Sequence, residues 1–588
     1  MRMSIDLKSQ KTVLLFVLLA TALVYISTIR YEFTYDDNSQ IVLNPAITSA
    51  AHIPEYFTKH VWQTVVPGSA AQYYRPVFVL WLLLNYKLFG LSPAGWHVTS
   101  LIVHLVATWL VFVLARRLTS DQLVATVAAF LFGIHPAHLE SVAWVSGVTD
   151  PLMTVFFVAA ILQYLNIKSA NEVKPERSEE NRPRYLSRPL LVSLFFYALA
   201  LLTKETAVVF LPLVICYELL LGKETSQAST RTRLRSIVFT MLPYVLLTVV
   251  YLLVRFRVLG GLGHKLTQLS ATTIASTIPS VLWFYFRHLI WPRPLSVFYD
   301  NTYVTGGWLF WGPLLGLILV TAIFVALGRR SKQVLFLGCW VFIPILPSLN
   351  LSYFTFGEIV HDRYLYLGSI GFCIVLSVAF FHVIRTYDKY KRLAMVLLVI
   401  IGGGWSLETV IQLPMWKDDL ALYSQGAAVA PQNNAAINNL AATWKDLGNV
   451  DQAIALSERV LMRDPQNWRS LYNLGHSYYT IGAYDEATQY LGQAIPLNPS
   501  APDQYLFYGL AAMRMGRTRE AEAAMRIAVK LSPANAKYRF ALGVLLKEKG
   551  DLPDATVELA KSIELDRSIE PNARQLLAEI ESLGKRSN

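Results

Sequence analysis

Two adjacent acids, Asp36 and Asp37, follow the first long apolar run in the segment Tyr35-Asp36-Asp37-Asn38-Ser39-Gln40-Ile41. The chain is 54% hydrophobic. Carboxylates at the mouth of an apolar segment are costly unless they face a water-filled cavity, a partner or a substrate. Two nearby carboxylates raise one another's pKa, which suits one of them to act as a base. Neighbours in an extended chain point to opposite sides, so the two acids need not act together. A solvated loop, or a helix cap before Ile41, is the plainer reading of the same pair. Paired-acid glycosidase chemistry needs carboxylates on opposite sides of the scissile bond, and this spacing does not argue for it.

Other chemistry-bearing residues occur in short clusters. His135-Pro136-Ala137-His138-Leu139-Glu140 has the spacing of a metal motif. However, Pro136 interrupts helix geometry, and no third strong ligand is fixed locally. A metal site, hydrogen-bonded structural histidines, and contact with a substrate or lipid phosphate all stay open. Lys204-Glu205 reads either as a neutralised pair at the end of a span or as part of a site. Arg75, Arg287, Arg293 and Arg363 either anchor helices at the membrane interface or bind phosphate, which guanidinium grips bidentately. Glu358, His361, Asp362 and Arg363 crowd into one short loop, a density that favours function.

The elements that must position these groups are set by composition. Mean hydropathy is +0.39 and only 16% of residues are charged, as in a membrane protein. Apolar runs fill residues 1–412, and the chain then turns polar and Ala-rich. The basic N-terminus and the run 12–29 read as an uncleaved first span. Further spans of the roughly 20 residues needed to cross a bilayer are expected at 97–115, 122–136, 150–166, 189–203, 206–221, 236–257, 308–328, 333–349, 365–384 and 393–411, eleven in all. The stretches 76–90 and 276–295 read as interfacial or re-entrant helices. This layout puts every basic cluster in the cytoplasm, as the positive-inside rule requires. The net charge of +12 is thereby explained without a nucleic-acid partner. Asp36-Asp37 and the other polar clusters then share the outer face. Cys216, Cys339 and Cys373 lie in separate apolar runs with no CxxC spacing, which argues against a disulfide framework or zinc site.

From Asn434 the chain repeats every 34 residues, with Gly448, Gly482, Gly516 and Gly550 in step with Ala453, Ala487, Ala521 and Ala555. This is the tetratricopeptide pattern, a stack of helix pairs with a concave groove for a peptide or protein. The expected organisation is all-α: a polytopic membrane helix bundle over 1–412, a connecting helix over 413–433, four repeats over 434–567, and a capping helix and tail over 568–588.

Taken together, the motifs resemble a known family. They are Phe33-Thr34-Tyr35-Asp36-Asp37, Tyr74-Arg75-Pro76, His135-Pro136-Ala137-His138-Leu139-Glu140, Leu202-Thr203-Lys204-Glu205-Thr206, Asp362-Arg363-Tyr364-Leu365-Tyr366-Leu367 and Trp416-Lys417-Asp418. In this order the chain is similar to the transmembrane and tetratricopeptide-repeat protein O-mannosyltransferases and bacterial proteins of the same layout, within the GT-C glycosyltransferase superfamily. The family's pattern commonly has an Arg before the acid here numbered Asp150. This chain keeps the Asp and has Thr149 in front of it.

The resemblance implies inverting transfer of a sugar, with mannose the one named by the family, from a polyprenyl-phosphate donor to a hydroxyl of a protein acceptor. Asp36 and Asp37 are the catalytic candidates: Asp36 matches the catalytic acid, and Asp37 stands where related protein mannosyltransferases carry Glu. Arg75, Lys204, Arg293 and Arg363 are then candidates for the phosphate. His135, His138, Glu140, Glu205, Glu358, His361 and Asp362 are candidates for lining the sugar or phosphate site. No metal ligand is assigned, and a divalent metal is left open. The location implied is a bacterial inner membrane, with site and repeats on the periplasmic side. The alternative is a non-catalytic, membrane-anchored scaffold that works through its repeats.

Overall fold

The computed structural model of the chain describes residues 7–63, 65, 73–173, 187–222, 230–261, 266–354 and 357–587. Parts of the basic N-terminus and of the basic stretches 167–188 and 222–235, used above to orient the spans, lie outside the described residues. Among the described residues every regular element is a helix. The chain divides into two units, Met1–Gln425 and Gly426–Asn588.

Among the described residues of the first unit, eight segments are long and apolar enough to cross a membrane: Lys11–Arg30, Pro93–Thr119, Val145–Ile167, Leu234–Leu259, Trp308–Arg330, Lys332–Leu349, Gly368–Thr386 and Asp388–Trp416. A ninth results if Gln122–Gly133 and Pro136–Ala143, bent by 53°, are taken as one span. The chain is an integral membrane protein. The eleven spans expected from sequence and these eight or nine differ chiefly at 189–221. There Arg188–Thr203 has 16 residues, and the backbone turns extended at Lys204 (φ −155°, ψ 133°). A 3₁₀ turn, Glu205–Val209, follows, and the next helix, Phe210–Leu220, has only 11 residues. Neither helix alone reaches the roughly 20 residues a span requires. The stretch 76–90 is the 14-residue helix Pro76–Phe89.

Local chemistry explains where helices begin. Asp121 caps Gln122–Gly133 by accepting from the N–H groups of Leu123 and Val124, a contact that stabilises by about 1 kcal/mol. Ser270 and Ser331 cap Ala271–Ile290 and Lys332–Phe342 in the same way. The bend at His135 follows from Pro136, which begins the next turn and has no N–H to continue the previous helix.

The second unit contains four helix pairs: Asn434–Asp446 with Val450–Leu461, Trp468–Thr480 with Tyr484–Leu497, Pro502–Arg514 with Thr518–Leu531, and Ala536–Lys549 with Leu552–Leu565. Helix Glu570–Ser587 closes the stack. The 34-residue signature has a separate reason at each position. Gly482 and its equivalents end the first helix of each pair in the left-handed conformation, Gly482 at φ +84°, which a residue with a side chain rarely adopts. The repeated alanines are fully buried. At Gly475 helices approach so closely that a Cβ would stand 2.5 Å from the Leu491 side chain.

Candidate functional site

The acid pair stands on an irregular turn. After the 3₁₀ turn Ile26–Arg30 the chain runs extended to Tyr35, which takes φ +58°. A left-handed aromatic residue costs about 1–2 kcal/mol and needs outside support. Support comes from Asp419: its Oδ1 accepts the Tyr35 N–H at 2.8 Å, and its Oδ2 accepts the Asn38 side-chain amide at 3.0 Å. The sharp turn sends the two neighbouring carboxylates to different places.

Asp37 turns inward and is fully buried. Its Oδ1 accepts the Ser146 N–H at 2.8 Å and its Oδ2 the Thr34 N–H at 3.3 Å. Burial pushes its carboxyl up to about 7, with the Ser146 bonds working against the rise. It ties the turn to the segment before the helix Thr149–Val173. Asp37→Ala removes the acceptor of two buried N–H groups, each of which costs about 1–3 kcal/mol when left unpaired. The expected result is a lower unfolding temperature in detergent with the site chemistry largely intact. A variant as stable as wild type would remove the structural role.

Asp36 instead lines a polar cavity of about 60 Å³, together with Gln40, Trp62, Tyr73, Arg75, Trp144, Lys204, Arg363 and Tyr364. Burial pushes its carboxyl up to about 6, while Arg363 opposes the rise and Glu358 adds to it. Each of the three cations on the cavity wall is paired. Arg75 grips Glu205 bidentately, Nη2 to Oε1 at 2.6 Å and Nε to Oε2 at 3.0 Å, and lies over the Tyr73 ring at 4.2 Å. Burial on its own raises Glu205, but Arg75 overrides it and holds the carboxyl at about 2. Lys204 Nζ donates to both oxygens of Asp150, at 2.7 and 2.6 Å, in a pair almost closed to solvent. Burial lowers the Lys204 pKa, and Asp150 restrains the fall. Arg363 bonds Glu140 through Nη1, and its backbone N–H donates to Glu140 Oε2 at 2.9 Å. Its guanidinium also faces the Trp144 and Tyr364 rings, each at 5.4 Å.

The remaining candidates fall into two groups. Close to the site, Asp362 accepts the Tyr299 hydroxyl at 2.5 Å. Burial and then Glu140 push Asp362 well above the usual carboxylate range, towards the neutral acid. His361 Nδ1 lies 3.9 Å from Glu140, and Glu358 is half-buried within electrostatic reach of Asp36. Elsewhere, His135 and His138 are not on the cavity wall. His135 Nε2 donates to the Leu289 carbonyl at 3.1 Å, and its Nδ1 accepts the Ala137 N–H at 3.2 Å. His138 Nε2 bonds Ser369 at 2.8 Å and its ring packs on Tyr366 at 4.5 Å. Both rings have structural contacts deep in the bundle. Arg293 is 59% exposed, beside Glu408 at 3.7 Å, away from the cavity wall. Among the described residues no group of three or more His, Cys, Asp or Glu side chains is placed to hold a metal ion.

Sequence reading missed Asp419 and the aromatic wall of Trp62, Tyr73, Trp144 and Tyr364. For Asp419 a signal existed, because a second acid pair, Asp418-Asp419, follows Trp416. For Trp62, Tyr73 and Trp144 none did, since apolar segments hold rings throughout, whereas Tyr364 stands in the quoted Asp362-Arg363-Tyr364 motif without a role assigned to it.

A sequence model described as tetratricopeptide repeat matches residues 509–568, and one described as anaphase-promoting complex, cyclosome, subunit 3 matches residues 446–528. The human protein O-mannosyl-transferase TMTC3 is 24% identical over 91% of this chain and 62% of its own length. The protein O-mannosyl-transferase F38B6.6 of Caenorhabditis elegans is 27% identical over 72% of this chain and 59% of its own. Human protein O-mannosyl-transferase TMTC4 is 26% identical over 72% of this chain and 62% of its own. The chain thus spans about three-fifths of the length of the curated relatives it matches. Over most of its length the chain resembles proteins named as protein O-mannosyl-transferases.

Proposed function

We propose that the chain is a membrane glycosyltransferase of the GT-C type that moves a sugar, mannose by analogy with its relatives' names, from a polyprenyl-phosphate donor to a hydroxyl of a protein acceptor. The observation that carries this reading is the single carboxylate of Asp36 on a cavity wall with three paired cations around it. Asp36 takes the proton of the acceptor Ser or Thr hydroxyl. The oxygen attacks the anomeric carbon from the face opposite the phosphate, so the configuration inverts, and polyprenyl phosphate leaves. Arg75, Lys204 and Arg363 stabilise the charge that develops on the leaving group. Their pairing to Glu205, Asp150 and Glu140 fixes them in place before the donor arrives, which is what electrostatic stabilisation of a transition state requires. The site opens to the extracytoplasmic side, the periplasm in a bacterial inner membrane. The repeats present the protein acceptor.

The test is reconstitution of the full chain in liposomes with polyprenyl-phosphate mannose and a Ser/Thr-rich peptide. Intact-mass analysis of the peptide should show an added hexose, and anomer-specific glycosidases should show a linkage opposite to the donor's. No added hexose with a folded protein would refute the transferase reading. The same assay has an expected pH profile. The base must be ionised to accept a proton, and burial has raised its pKa, so kcat/KM should fall about tenfold per pH unit below about 6 and level off above it. A profile flat from about pH 4.5 to about 7.5, spanning both sides of the raised pKa, would show that another group takes the proton.

A further inference from the structure

The turn carrying Asp36 is held by a residue that does not line the cavity. We infer that Asp419 is a positioning residue for Asp36, bracketing it from both sides so that its carboxylate faces the cavity; this rests on the transferase reading for its catalytic consequence. One carboxylate takes the Tyr35 N–H just before Asp36 and the Asn38 side chain just after it, at 2.8 and 3.0 Å. The Asp36 carbonyl in turn accepts the N–H groups of Ser39 at 3.1 Å and Gln40 at 2.8 Å. The direction of the acid is therefore set by the same turn. Tyr35 sits at φ +58°, a conformation that a tyrosine leaves when nothing holds it.

Asp419 is itself firmly placed. Trp416, fully buried, stacks on Trp144 of the cavity wall with ring centroids 6.1 Å apart and planes at 12°. The Glu32 N–H donates to the Lys417 carbonyl at 3.0 Å, and Gln425 donates to the Leu295 carbonyl at 3.1 Å. The start of the helix Asp419–Val429 is thus fastened on both sides of the carboxylate. Asp419 acts on the acid through Tyr35 and Asn38.

The experiment uses the full chain in nanodiscs. Asp419→Ala should lower kcat by about 10²-fold, the scale of an ångström-sized misplacement of a catalytic group, with KM for polyprenyl-phosphate mannose unchanged. The exchange pair Asp419→Asn with Asn38→Asp should restore much of the rate. In that pair the side-chain oxygen introduced at position 419 accepts from Tyr35, while its amide donates to the carboxylate introduced at position 38. The bracket re-forms with its polarity reversed. Asn38→Asp alone sets two carboxylates against each other and should be slow. In parallel, hydrogen exchange of the Tyr35–Gln40 amides should speed up in Asp419→Ala and slow again in the exchange pair. Full kcat in Asp419→Ala, or no rescue by the exchange pair, would overturn the inference. If the wild type transfers no sugar, the transferase reading fails on its own. The exchange measurement still decides the bracket, and unchanged protection in Asp419→Ala would overturn it.

Discussion

Under the proposed transferase reading, Asp36→Asn is expected to lower the turnover of sugar transfer by about 10²–10⁴-fold, the range over which a positioned general base contributes, and to leave the protein at least as stable as wild type. The two halves of this expectation come from the same environment. The Asp36 side chain takes a long contact from the Gln40 amide, at 3.5 Å, so Asn, of the same shape, removes little support. Its pKa is raised in the folded state, to about 6 from 3.8. The ionised form therefore weighs against folding above that window, and the penalty vanishes below 3.8. A neutral Asn removes the penalty at neutral pH. Single-turnover transfer from polyprenyl-phosphate mannose and thermal unfolding in detergent check both halves. Wild-type turnover in a folded Asp36→Asn protein would end its role as base.

The second large effect is on stability. Lys204→Met is expected to destabilise the membrane unit by about 3–5 kcal/mol, because it strands Asp150 as a buried charge without its partner. The pair is buried, with side-chain exposures of 3% and 6%, and lysine reaches both carboxylate oxygens. The double variant Lys204→Met with Asp150→Leu should recover most of the loss, since two apolar side chains of similar volume can replace a buried ion pair. Thermal unfolding of the single and double variants in the same detergent is the measurement. A double variant no more stable than the single would show that burial of the lone charge is not the cause.

Much of this architecture can be read from residues alone, and what resists has physical reasons. The repeats are legible because each position in the 34-residue period answers a local demand, such as the left-handed turn at Gly482 or the close approach at Gly475. Asp36 is legible as a charge at the mouth of an apolar run. Its separation from Asp37 is not, since it depends on the Tyr35 backbone and on Asp419, 384 residues away from Tyr35 in sequence. The charged residues Arg75, Lys204 and Arg363 announce themselves, whereas their partners Glu205, Asp150 and Glu140 are chosen by helix packing. His135 and His138 mislead in the opposite sense. Their spacing imitates a metal motif, yet the bend at Pro136 turns the rings onto the Leu289 carbonyl and Ser369. The span count suffers from the same limitation. Hydropathy runs on through 189–221, while the backbone stops being helical at Lys204.

The paired cations have a further consequence for the proposed cycle. With Glu205, Asp150 and Glu140 in place, the three cations of the cavity wall are matched by three built-in anions. A phosphate entering there meets cations whose charge is already balanced rather than a bare positive well. The grip on an incoming donor is weakened by those resident carboxylates, which stay on their partners. The same balance helps expel the spent lipid phosphate, because the carboxylates repel the charge that remains on it. An enzyme built this way trades tight ground-state affinity for rapid clearance, so lipid phosphate should be a weak product inhibitor.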